Sequence, residues 1–490
     1  MNCCKITLKS WFNVFFVRYF SANFFFFGYF CSHNYPFFRL YMANVIKLSK
    51  GLDINLEGVA EKKKITLRSN GKYMLQPDDF VGVTPKVVVK PGDRVKAGEA
   101  LFVNKEYPTV MFASPVSGTV KAVMRGERRK VLGISVEADA EQNYVDFGKK
   151  DVRKLDGQAV KAALLEAGLF GFIDQLPYAV SATPDAEPKA IFVSALRDKP
   201  LAADFEYELD GQEEDFQTGL TALSKIAVTH LGIGRKQTAR ALTEARDVEV
   251  TVFDGPCPAG NVGVQVNHVD PVNKGEVVWT VDPTVVLFIG RLFNSGKVDM
   301  RRCVAFVGSE VEKPAYVDMM VGEELATLLS NSVKTDHNVR IINGNVLTGR
   351  VTTKEGFLGA HTSEITVIPE GNDVDEFAGW IMPRFGQFSV NRSYFSWLLG
   401  KRRYTLDARV KGGERHMIMS GEYDRVMPMD IYPEFLIKAI IAGDIDKMEQ
   451  LGIYEVAPED FALAEFVDSS KLELQRIVRQ GLDMLRKENA

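Results

Sequence analysis

The chain has 490 residues, of which 60 are Lys or Arg and 64 are Asp or Glu, so its formal net charge is -4 at pH 7. This length exceeds what a single hydrophobic core usually organises, and it predicts two to four domains. The mildly acidic balance argues against a nucleic-acid binder, because acidic residues interrupt or offset most of the short basic runs.

The five cysteines are unevenly distributed. Cys3, Cys4 and Cys31 lie in the first 41 residues, which leaves Cys257 and Cys303 for the rest of the chain. That remaining pair supports neither a disulfide framework nor a zinc site. We therefore expect a reducing compartment, no metal site, and two cysteines buried as small apolar side chains.

Residues 1–41 are dominated by phenylalanine, but Asn13, Arg18 and Asn23 interrupt the apolar run. A membrane anchor requires about 20 mostly apolar residues, which these interruptions oppose. A signal peptide would need a small-residue cleavage site, and none follows the basic start. We expect translated upstream sequence with Met42 as the true initiator, and a genuine anchor is the alternative. The remainder contains no spanning segment.

Residues 42–150 are predicted to form a barrel-sandwich module that resembles the biotinyl and lipoyl carriers. Short alternating strands are separated by Pro-Gly-Asp, Ala-Gly-Glu and Ser-Gly turns, and the resemblance is carried by PGDRVKAGEAL and SPVSGTV. Carriers present a modifiable lysine at a hairpin tip between those two halves. Lys105 is the candidate, but its context is NKEYPT rather than MKM, so a surface lysine on a structural module is the favoured interpretation.

Residues 151–300 alternate helical and strand patterns, which predicts a Rossmann-like α/β domain. Helices are predicted for AVKAALLEAGLFGF, EEDFQTGLTALSKIA and RKQTARALTEA, and buried strands for KAIFVSAL and VEVTVFDG. Gly232 and Gly234 could begin a dinucleotide fingerprint, but Gln237 stands where its third glycine is required. We expect an ordinary turn before a helix there.

The third module, residues 301–342, contains RCVAFVGSEVEKPAYVDMMVGEELATLLS, which predicts strand, turn, strand and helix. Residues 343–400 are expected to return the chain to the α/β domain through the turn NGNVLTGR. From Trp380 to Tyr404, aromatic residues stand beside basic ones, a composition that suits an interface with membrane subunits or a quinone. Core packing is the alternative for each of these residues.

Residues 401–490 are predicted to be helical and contain two segments with the spacing CxxCxxCxxxCP of an iron–sulfur site, but without its cysteines. Eight other residues stand at the ligand positions: Met417, Ser420, Tyr423, Met427, Pro458, Phe461, Ala464 and Asp468. Thioether, phenol and hydrocarbon side chains cannot replace thiolates on iron. The pattern indicates an electron-transfer scaffold without clusters, and an amphipathic helical tail is the alternative.

Two stretches carry a family resemblance. The first is the link FLIKAIIAGDIDKMEQLGIYEVAPED, which resembles the link between the two cluster motifs in the C-type subunit of Rnf-type complexes. The second is residues 253–297, with GPCPAG, HVDPVN and VVW, which resemble the A-type subunit of sodium-translocating NADH:quinone reductases. The resemblance to this second family runs from about Ile46 to the end. It implies a β-grasp soluble-ligand-binding fold for the third module and a cluster-free, ferredoxin-like segment at the C-terminus. His268 is a candidate ligand or proton carrier, although a hydrogen-bonded structural histidine is favoured.

The resemblance also implies that the flavin site of related subunits is lost. Those relatives have a loop like GLGGAGFPT, whose glycines let backbone amides approach the flavin phosphate. This chain reads AGLFGFIDQLPY and keeps only Gly168 and Gly171. Side-chain-bearing residues forced to positive φ would cost roughly 1 to 2 kcal/mol each.

The nucleotide site of the relatives is changed in a similar way. Their acidic segment NGAECEPYxxxD reads VSALRDKPLAAD here. With Pro200 aligned on the proline of that segment, Arg197 and Lys199 replace two glutamates, and Asp204 is kept if the alignment contains a one-residue gap. The family relationship therefore implies neither an FMN site nor an NADH site in this chain.

The family resemblance implies a peripheral subunit at the cytoplasmic face of the bacterial inner membrane, in a complex that oxidises NADH, reduces quinone and pumps Na⁺ out of the cytoplasm. The chain would act in the quinone-reducing half without its own flavin or iron–sulfur centre, with the other subunits as partners and a quinone contact. No SGAT-type motif for a covalent flavin occurs, and the nearest string is SATP at 181–184. No catalytic residue or metal ligand is assigned, and the cofactor-binding residues are unknown.

Two other functions stay open at this point. The chain could be a biotinyl- or lipoyl-type carrier or acyl-transfer protein, which requires a modified Lys105. It could also be a soluble-ligand-binding protein that uses its third module, and it would then stay unpartnered when membranes are pelleted.

Overall fold

The computed structural model describes residues 44–330, 332–334, 336–372 and 381–489. The predictions for residues 1–41, for Met42 and for Trp380 concern positions outside this description. From Val45 onward the described chain forms one compact unit. Within these ranges, no helix combines the length and the apolar character needed to cross a bilayer.

The first domain consists of short antiparallel strands, as its alternating sequence predicts. After β1 (Asn44–Lys47) and β2 (Lys64–Ile65), which join later sheets, the strands are β3 (Lys72–Leu75), β4 (Pro85–Val87), β5 (Arg94–Val95), β6 (Ala100–Asn104), β7 (Met111–Ala113), β8 (Gly118–Arg125) and β9 (Val131–Ala138). They form a four-stranded sheet in the order β3-β9-β8-β5 and a three-stranded sheet in the order β4-β6-β7. The buried rings of Phe102 and Phe112 stack at 4.5 Å between centroids in the core of this domain.

The second domain contains a seven-stranded sheet. Its strands are β10 (Asp174–Leu176), β11 (Val180–Ser181), β12 (Ala190–Ser194), β13 (Val228–Gly234), β14 (Glu249–Asp254) and β15 (Val278–Val281), in the order β1-β14-β13-β12-β15-β10-β11. Strands β12 to β15 are parallel neighbours, whereas β10 runs antiparallel to β15. The carboxyl ends of the parallel strands therefore lie along one edge of the sheet.

Helices connect and cover these strands. They are α1 (Gly157–Glu166), α2 (Phe205–Leu209), α3 (Glu213–Ile226), α4 (Arg240–Thr243), α5 (Val262–Val269) and α6 (Pro283–Ser295). Helix α6 begins directly after β15, where the Asp282 carboxylate accepts from the Thr284 backbone N–H and Pro283 occupies the first turn. It ends at Gly296, whose φ of 75° suits the left-handed cap. Most of α6 is buried, so it holds Asp282 in a fixed position at the sheet edge.

The third domain is built on a six-stranded sheet. Its remaining strands are β16 (Arg301–Val307), β17 (Ala315–Met320), β18 (Val339–Asn343), β19 (Arg350–Thr352) and β20 (Glu364–Pro369), in the order β19-β18-β20-β16-β17-β2, with helix α7 (Ala326–Leu329) beside it. The sequence analysis ended this module at residue 342. In the structure β19 and β20 pair with β18, so the sheet continues to Pro369 instead of returning to the α/β domain at 343.

The C-terminal part is helical, as predicted. Its helices are α8 (Tyr423–Val426), α9 (Pro433–Ala442), α10 (Ile445–Gln450), α11 (Ala462–Val467) and α12 (Leu474–Glu488), and 3₁₀ turns occur at Phe395–Leu399, Ile453–Glu455 and Pro458–Phe461. Their apolar faces share one buried cluster with Phe253 of β14 and Tyr316 of β17. This shared core attaches the helical segment to both the second and the third domain.

Candidate functional site

A polar cleft lies at the carboxyl ends of β12 and β15, where ligands commonly bind in open α/β sheets. It encloses about 400 Å³. Its lining comes from all four domains: Asp79 of the first, Asp174 of β10, the end of β12 with residues 196–199, residues 260–262, the end of β15 with Asp282, the third-domain segments 343–350 and 359–364, and Glu459 of the C-terminal part. The cleft is therefore a junction of the first, second, third and C-terminal domains.

Arg197 is the most heavily paired residue of this cleft. Its guanidinium donates to the Glu208 carboxylate at 2.9 Å and to the Thr284 hydroxyl at 2.8 Å, and it lies 3.4 Å from the Asp282 carboxylate. Burial alone would lower the pKa of Arg197, but the charges of Asp282, Glu208 and Glu364 together raise it. Arg197 therefore stays charged, and groups of this same chain neutralise it.

A second buried cation completes this network. Arg302 donates to the Ala360 carbonyl at 2.8 Å and lies 3.4 Å from the Asp282 carboxylate. Burial favours a raised pKa for Asp282, but Arg197 and Arg302 outweigh it and hold the pKa below its usual value. Asp282 thus bridges two arginines at the amino end of α6, where a negative charge is favoured.

Lys199 connects the cleft to the C-terminal part. Its ammonium lies 2.7 Å from the Glu459 carboxylate. Burial acts against the charge on Lys199, but Glu459 raises the pKa of the amine above its ordinary value. Arg197 and Lys199, the two basic residues that the sequence analysis compared with glutamates of related subunits, therefore both have acidic partners from this same chain.

Four other titratable groups in the cleft have shifted pKa values, and one of them is Asp79, whose pKa is raised by burial. Burial raises the pKa of Asp174 to about 7, and Glu459 and Asp282 add to this shift. Burial also raises the pKa of Asp198 to about 6, although the Gly260 N–H donates to its carboxylate. His361 packs against Phe80 and Phe172, each at 5.6 Å between ring centroids, and burial lowers its pKa to about 4. His361 is therefore neutral at pH 7.

Gly168 and Gly171, in the loop that the sequence analysis compared with a flavin-binding loop of related subunits, are covered by the first domain. A Cβ on Gly171 would come within 2.3 Å of the Phe112 ring, and one on Gly168 within 2.8 Å of the Ala113 Cβ. Gly168 also has a φ of 69°, which favours glycine. Phe170 and Phe172 are fully buried beside them. The loop is a packed domain contact, and its glycines do not line the polar cleft.

Several other residues singled out from the sequence do not line the cleft. Lys105 is exposed between β6 and β7. His268 is exposed on α5 and its Nδ1 lies 3.0 Å from the Val264 carbonyl. Both Cys257 and Cys303 are buried thiols, as expected. At the incomplete glycine motif, Gln237 accepts from the Gly234 N–H at 2.7 Å and so fills the space that a third glycine would leave open.

The positions that correspond to iron–sulfur ligands are brought together by the fold. Tyr423, Met427, Phe461 and Ala464 belong to one buried apolar cluster, and Met417 packs against it. Asp468 is also buried and accepts from two backbone N–H groups, those of Ser470 and Leu472. Ser420 is exposed and Pro458 is half-buried. The two segments thus meet through side-chain packing.

A second, more apolar cavity of about 510 Å³ lies beside the aromatic segment. Phe388 and Tyr394 of that segment line it together with Phe466 of α11. The Phe388 ring lies 6.0 Å from the ring of Phe466 and 5.4 Å from that of Tyr404. Arg409 and Lys411 add positive charge to its lining, beside Asp407.

Three family models match successive parts of the chain. They are described as the NqrA N-terminal barrel-sandwich hybrid domain over residues 46–139, the NqrA second alpha/beta domain over residues 155–298, and the NQRA C-terminal domain, of the SLBB type, over residues 303–354. The A-type subunit of the Na⁺-translocating NADH-quinone reductase of Neisseria meningitidis serogroup B is 34% identical over 448 residues, covering 91% of this chain and 100% of the relative. The chain belongs to this family.

Other members of the family are equally similar. The corresponding subunits of Haemophilus influenzae strain PittGG and of Vibrio atlanticus are each 34% identical, over 450 and 447 residues, with 91% of this chain and all of each relative covered. A solved NAD⁺-reducing [NiFe]-hydrogenase aligns with a TM-score of 0.33 at 12% identity, over 69% of this chain and 64% of that one, which is too distant to support an argument.

Family membership confirms the resemblance found in the sequence and identifies a subunit of a Na⁺-translocating NADH:quinone reductase. It also confirms the multidomain α/β architecture of barrel-sandwich, α/β and SLBB domains followed by a helical segment. The other subunits of that complex are its partners. The cleft residues Asp174, Asp282, His361 and Glu459 were not found from the sequence. Asp282 alone had a local signal, since Asp-Pro after the strand VVWTV is typical of a helix start.

Proposed function

We propose that this subunit acts in the quinone-reducing half of the complex, bound peripherally at the cytoplasmic face of the bacterial inner membrane. The complex would oxidise NADH, reduce quinone to quinol and pump Na⁺ out of the cytoplasm. This subunit would have neither a flavin nor an iron–sulfur centre of its own, and it would help to form or shield the quinone site.

The observation that carries the quinone role is the apolar cavity of about 510 Å³ beside the aromatic segment. Phe388 and Phe466 offer ring faces of the kind that pack on a quinone ring or an isoprenoid chain. Phe388, Val390 and Tyr394 of its lining belong to a segment with many exposed apolar side chains, including Ile381, Phe395 and Leu398. A lipophilic substrate could therefore pass from the membrane region to this cavity.

The absence of a flavin of its own is supported by the polar cleft and the former flavin loop. Arg197 and Lys199 are paired with Glu208 and Glu459, so neither cation is available to a phosphate without first giving up a partner. Gly171 packs so closely on the Phe112 ring that not even a Cβ would fit between them. Hydride transfer from NADH would then take place on another subunit.

The proposal is tested by comparing two activities of the assembled complex. Phe388→Ala should lower quinone reduction and sodium uptake together while NADH oxidation by ferricyanide stays near that of the wild type. Phe435→Ala is a matched control, because Phe435 is an exposed ring on α9 outside the cavity lining. Labelling by a photoreactive quinone should reach the cavity in the wild type and decrease in Phe388→Ala.

Depletion of the whole subunit tests the same proposal more broadly. Ferricyanide reduction should persist while quinone reduction is lost. If ferricyanide activity disappears while the other subunits stay assembled, the NADH site lies in this chain and the proposal is wrong.

A further inference from the structure

The segment 381–404 is unlike the rest of the surface in composition. Between Ile381 and Tyr404 it contains five Arg or Lys residues and no Asp or Glu, in a chain whose net charge is -4. Many of its large apolar side chains are exposed: Ile381, Met382, Phe385, Val390, Phe395, Trp397, Leu398 and Leu399. A contiguous exposed apolar patch of this kind marks an interaction site.

The apolar side chains at its tip surround a single turn. Phe395–Leu399 is a 3₁₀ helix that ends at Gly400, and Ser396 is its only fully buried residue. Trp397, Leu398 and Leu399 are consecutive and 45%, 60% and 52% exposed. A 3₁₀ helix has about three residues per turn, so three consecutive side chains point in three directions. A flat protein surface would cover one or two of them, whereas lipid acyl chains can surround all three.

Positive charges lie around this turn. Arg392 stacks over the Trp397 ring at 5.2 Å, and Lys401, Arg402 and Arg403 follow the turn directly and are exposed. The Arg402 guanidinium donates to the Phe385 carbonyl at 3.1 Å, which holds the basic run beside the apolar patch. Cations next to an aromatic and aliphatic tip match the boundary between anionic headgroups and acyl chains.

We infer that the turn 395–399 inserts into the bilayer interface and that the surrounding basic residues bind anionic lipid headgroups. This inference rests on the proposed peripheral location and names the lipid surface as the direct partner of the turn. Trp397, Leu398 and Leu399 enter the boundary of the acyl chains to a depth of roughly 5–10 Å. Arg392 and residues 401–403 stay at the phosphate level. Phe388 and Tyr394 of the same segment line the apolar cavity, so the contact brings that segment of the cavity wall close to the membrane.

The test measures binding of the full chain to vesicles of phosphatidylcholine, alone or mixed with phosphatidylglycerol. Lys401→Glu/Arg402→Glu/Arg403→Glu should weaken binding to the mixed vesicles by on the order of 100-fold or more, since each basic residue near an anionic surface contributes substantially. Trp397→Ser/Leu398→Ser/Leu399→Ser should weaken it by roughly tenfold or more through lost apolar burial. All six side chains are exposed, so thermal stability should stay unchanged.

The control is another exposed basic cluster with the same number of reversed charges. Arg125→Glu/Arg128→Glu/Arg129→Glu changes the net charge equally, at the end of β8 and in the loop after it in the first domain. It should alter vesicle binding by no more than about twofold, because it leaves the apolar turn and the cations beside that turn in place. Brominated lipids should also quench tryptophan emission in the wild type, and Trp397→Phe should remove most of that quenching.

If the 401–403 variant and the 397–399 variant both bind vesicles as the wild type does, the inference is wrong. This holds also if residues 1–41 turn out to be the part of the chain that binds the vesicles. Binding lost equally in the control variant would also overturn it, because a general charge effect would then be at work. Co-purification of the same variants with the membrane subunits in detergent decides the proposed docking separately. A variant that binds vesicles normally but does not assemble identifies the segment as a protein interface, which contradicts the lipid contact and leaves the proposed function standing.

Discussion

Arg197 and Glu208 form an ion pair at 2.9 Å in which the two side chains are only 11% and 1% exposed. The pair joins the end of β12 to helix α2 inside the polar cleft. Thr284 donates to the same carboxylate at 2.9 Å, so the first turn of α6 is fixed to it as well. The positive charge of Arg197 is thus neutralised within the second domain, where it stabilises the fold, and it is not free to bind a ligand.

The first prediction concerns this pair. Arg197→Met leaves the Glu208 carboxylate buried without its cation and should lower the free energy of unfolding by about 3–5 kcal/mol, measured by chemical denaturation. Lys154→Met is the control, because Lys154 pairs with Asp151 at 3.6 Å while 82% exposed, and such a pair contributes at most about 1 kcal/mol. Arg197→Met/Glu208→Leu should recover part of the loss. Equal losses for the buried and the exposed pair would contradict this account.

The second prediction concerns the contact between the first two domains. Gly171→Ala places a Cβ within 2.3 Å of the Phe112 ring and should destabilise the chain by about 1–3 kcal/mol through overpacking. Gly413→Ala is the control, since nothing lies within 4 Å of a Cβ at that position. Phe112→Leu should partly rescue Gly171→Ala in a denaturation experiment. If Phe112→Leu gives no rescue, the contact with the Phe112 ring is not the cause of the destabilisation by Gly171→Ala.

The third prediction concerns the pH dependence of stability. The pKa of Asp174 is raised from 3.8 to about 7, so the folded state holds a proton on this carboxyl that the unfolded state has lost. The cost of ionising Asp174 therefore grows from about pH 4 to pH 7 and is constant above. Asp174→Asn should raise the melting temperature more at pH 7.5 than at pH 4.5. The exposed control Asp185→Asn should give no such difference. A gain that is equal at both pH values would refute the shifted pKa as its cause.

The spacing of apolar residues within single segments of the sequence predicted much of the fold but few of the residues that line the polar cleft. The spacing of Phe216, Leu220 and Leu223 correctly predicted α3, because the side chains that face the core lie on one side of that helix. The helix predicted over 235–245 was wrong in extent and is only Arg240–Thr243. There, Gln237 bonds back to Gly234, and Glu206 accepts from the backbone N–H groups of residues 238 and 239, so tertiary contacts replace helical ones.

The cleft itself depends on contacts between distant parts of the chain. Lys199 was singled out by comparison with related subunits, but its partner Glu459 is 260 residues away and lies in a helical segment with no charge pattern that points to it. His361 is buried by Phe80 of the first domain and Phe172 of the second. Such pairings follow from how the domains pack, and periodicity within one segment contains no information about them.

The last prediction concerns cofactor content and the C-terminal core. The purified subunit should contain no stoichiometric iron, acid-labile sulfide or flavin, measured by metal analysis and absorption spectroscopy. The physical reason is that Tyr423, Met427, Phe461 and Ala464 stand at ligand positions and fill an apolar core, whereas a cluster requires thiolates. A four-cysteine variant, Met417→Cys/Ser420→Cys/Tyr423→Cys/Met427→Cys, places thiols at one set of ligand positions. It tests whether the packing of the core or the lack of thiolates prevents a cluster from forming. We expect it to lose stability without acquiring a cluster during reconstitution with iron and sulfide, because removing the Tyr423 ring leaves a cavity that costs about 3–5 kcal/mol. Phe461→Ala is the matched control for the loss of one core ring, and it should destabilise the chain by a similar amount. One equivalent of iron in the wild type would show that this core holds an electron-transfer site. A stable cluster in the four-cysteine variant would show that the missing thiolates, and not the packing of the core, exclude a cluster.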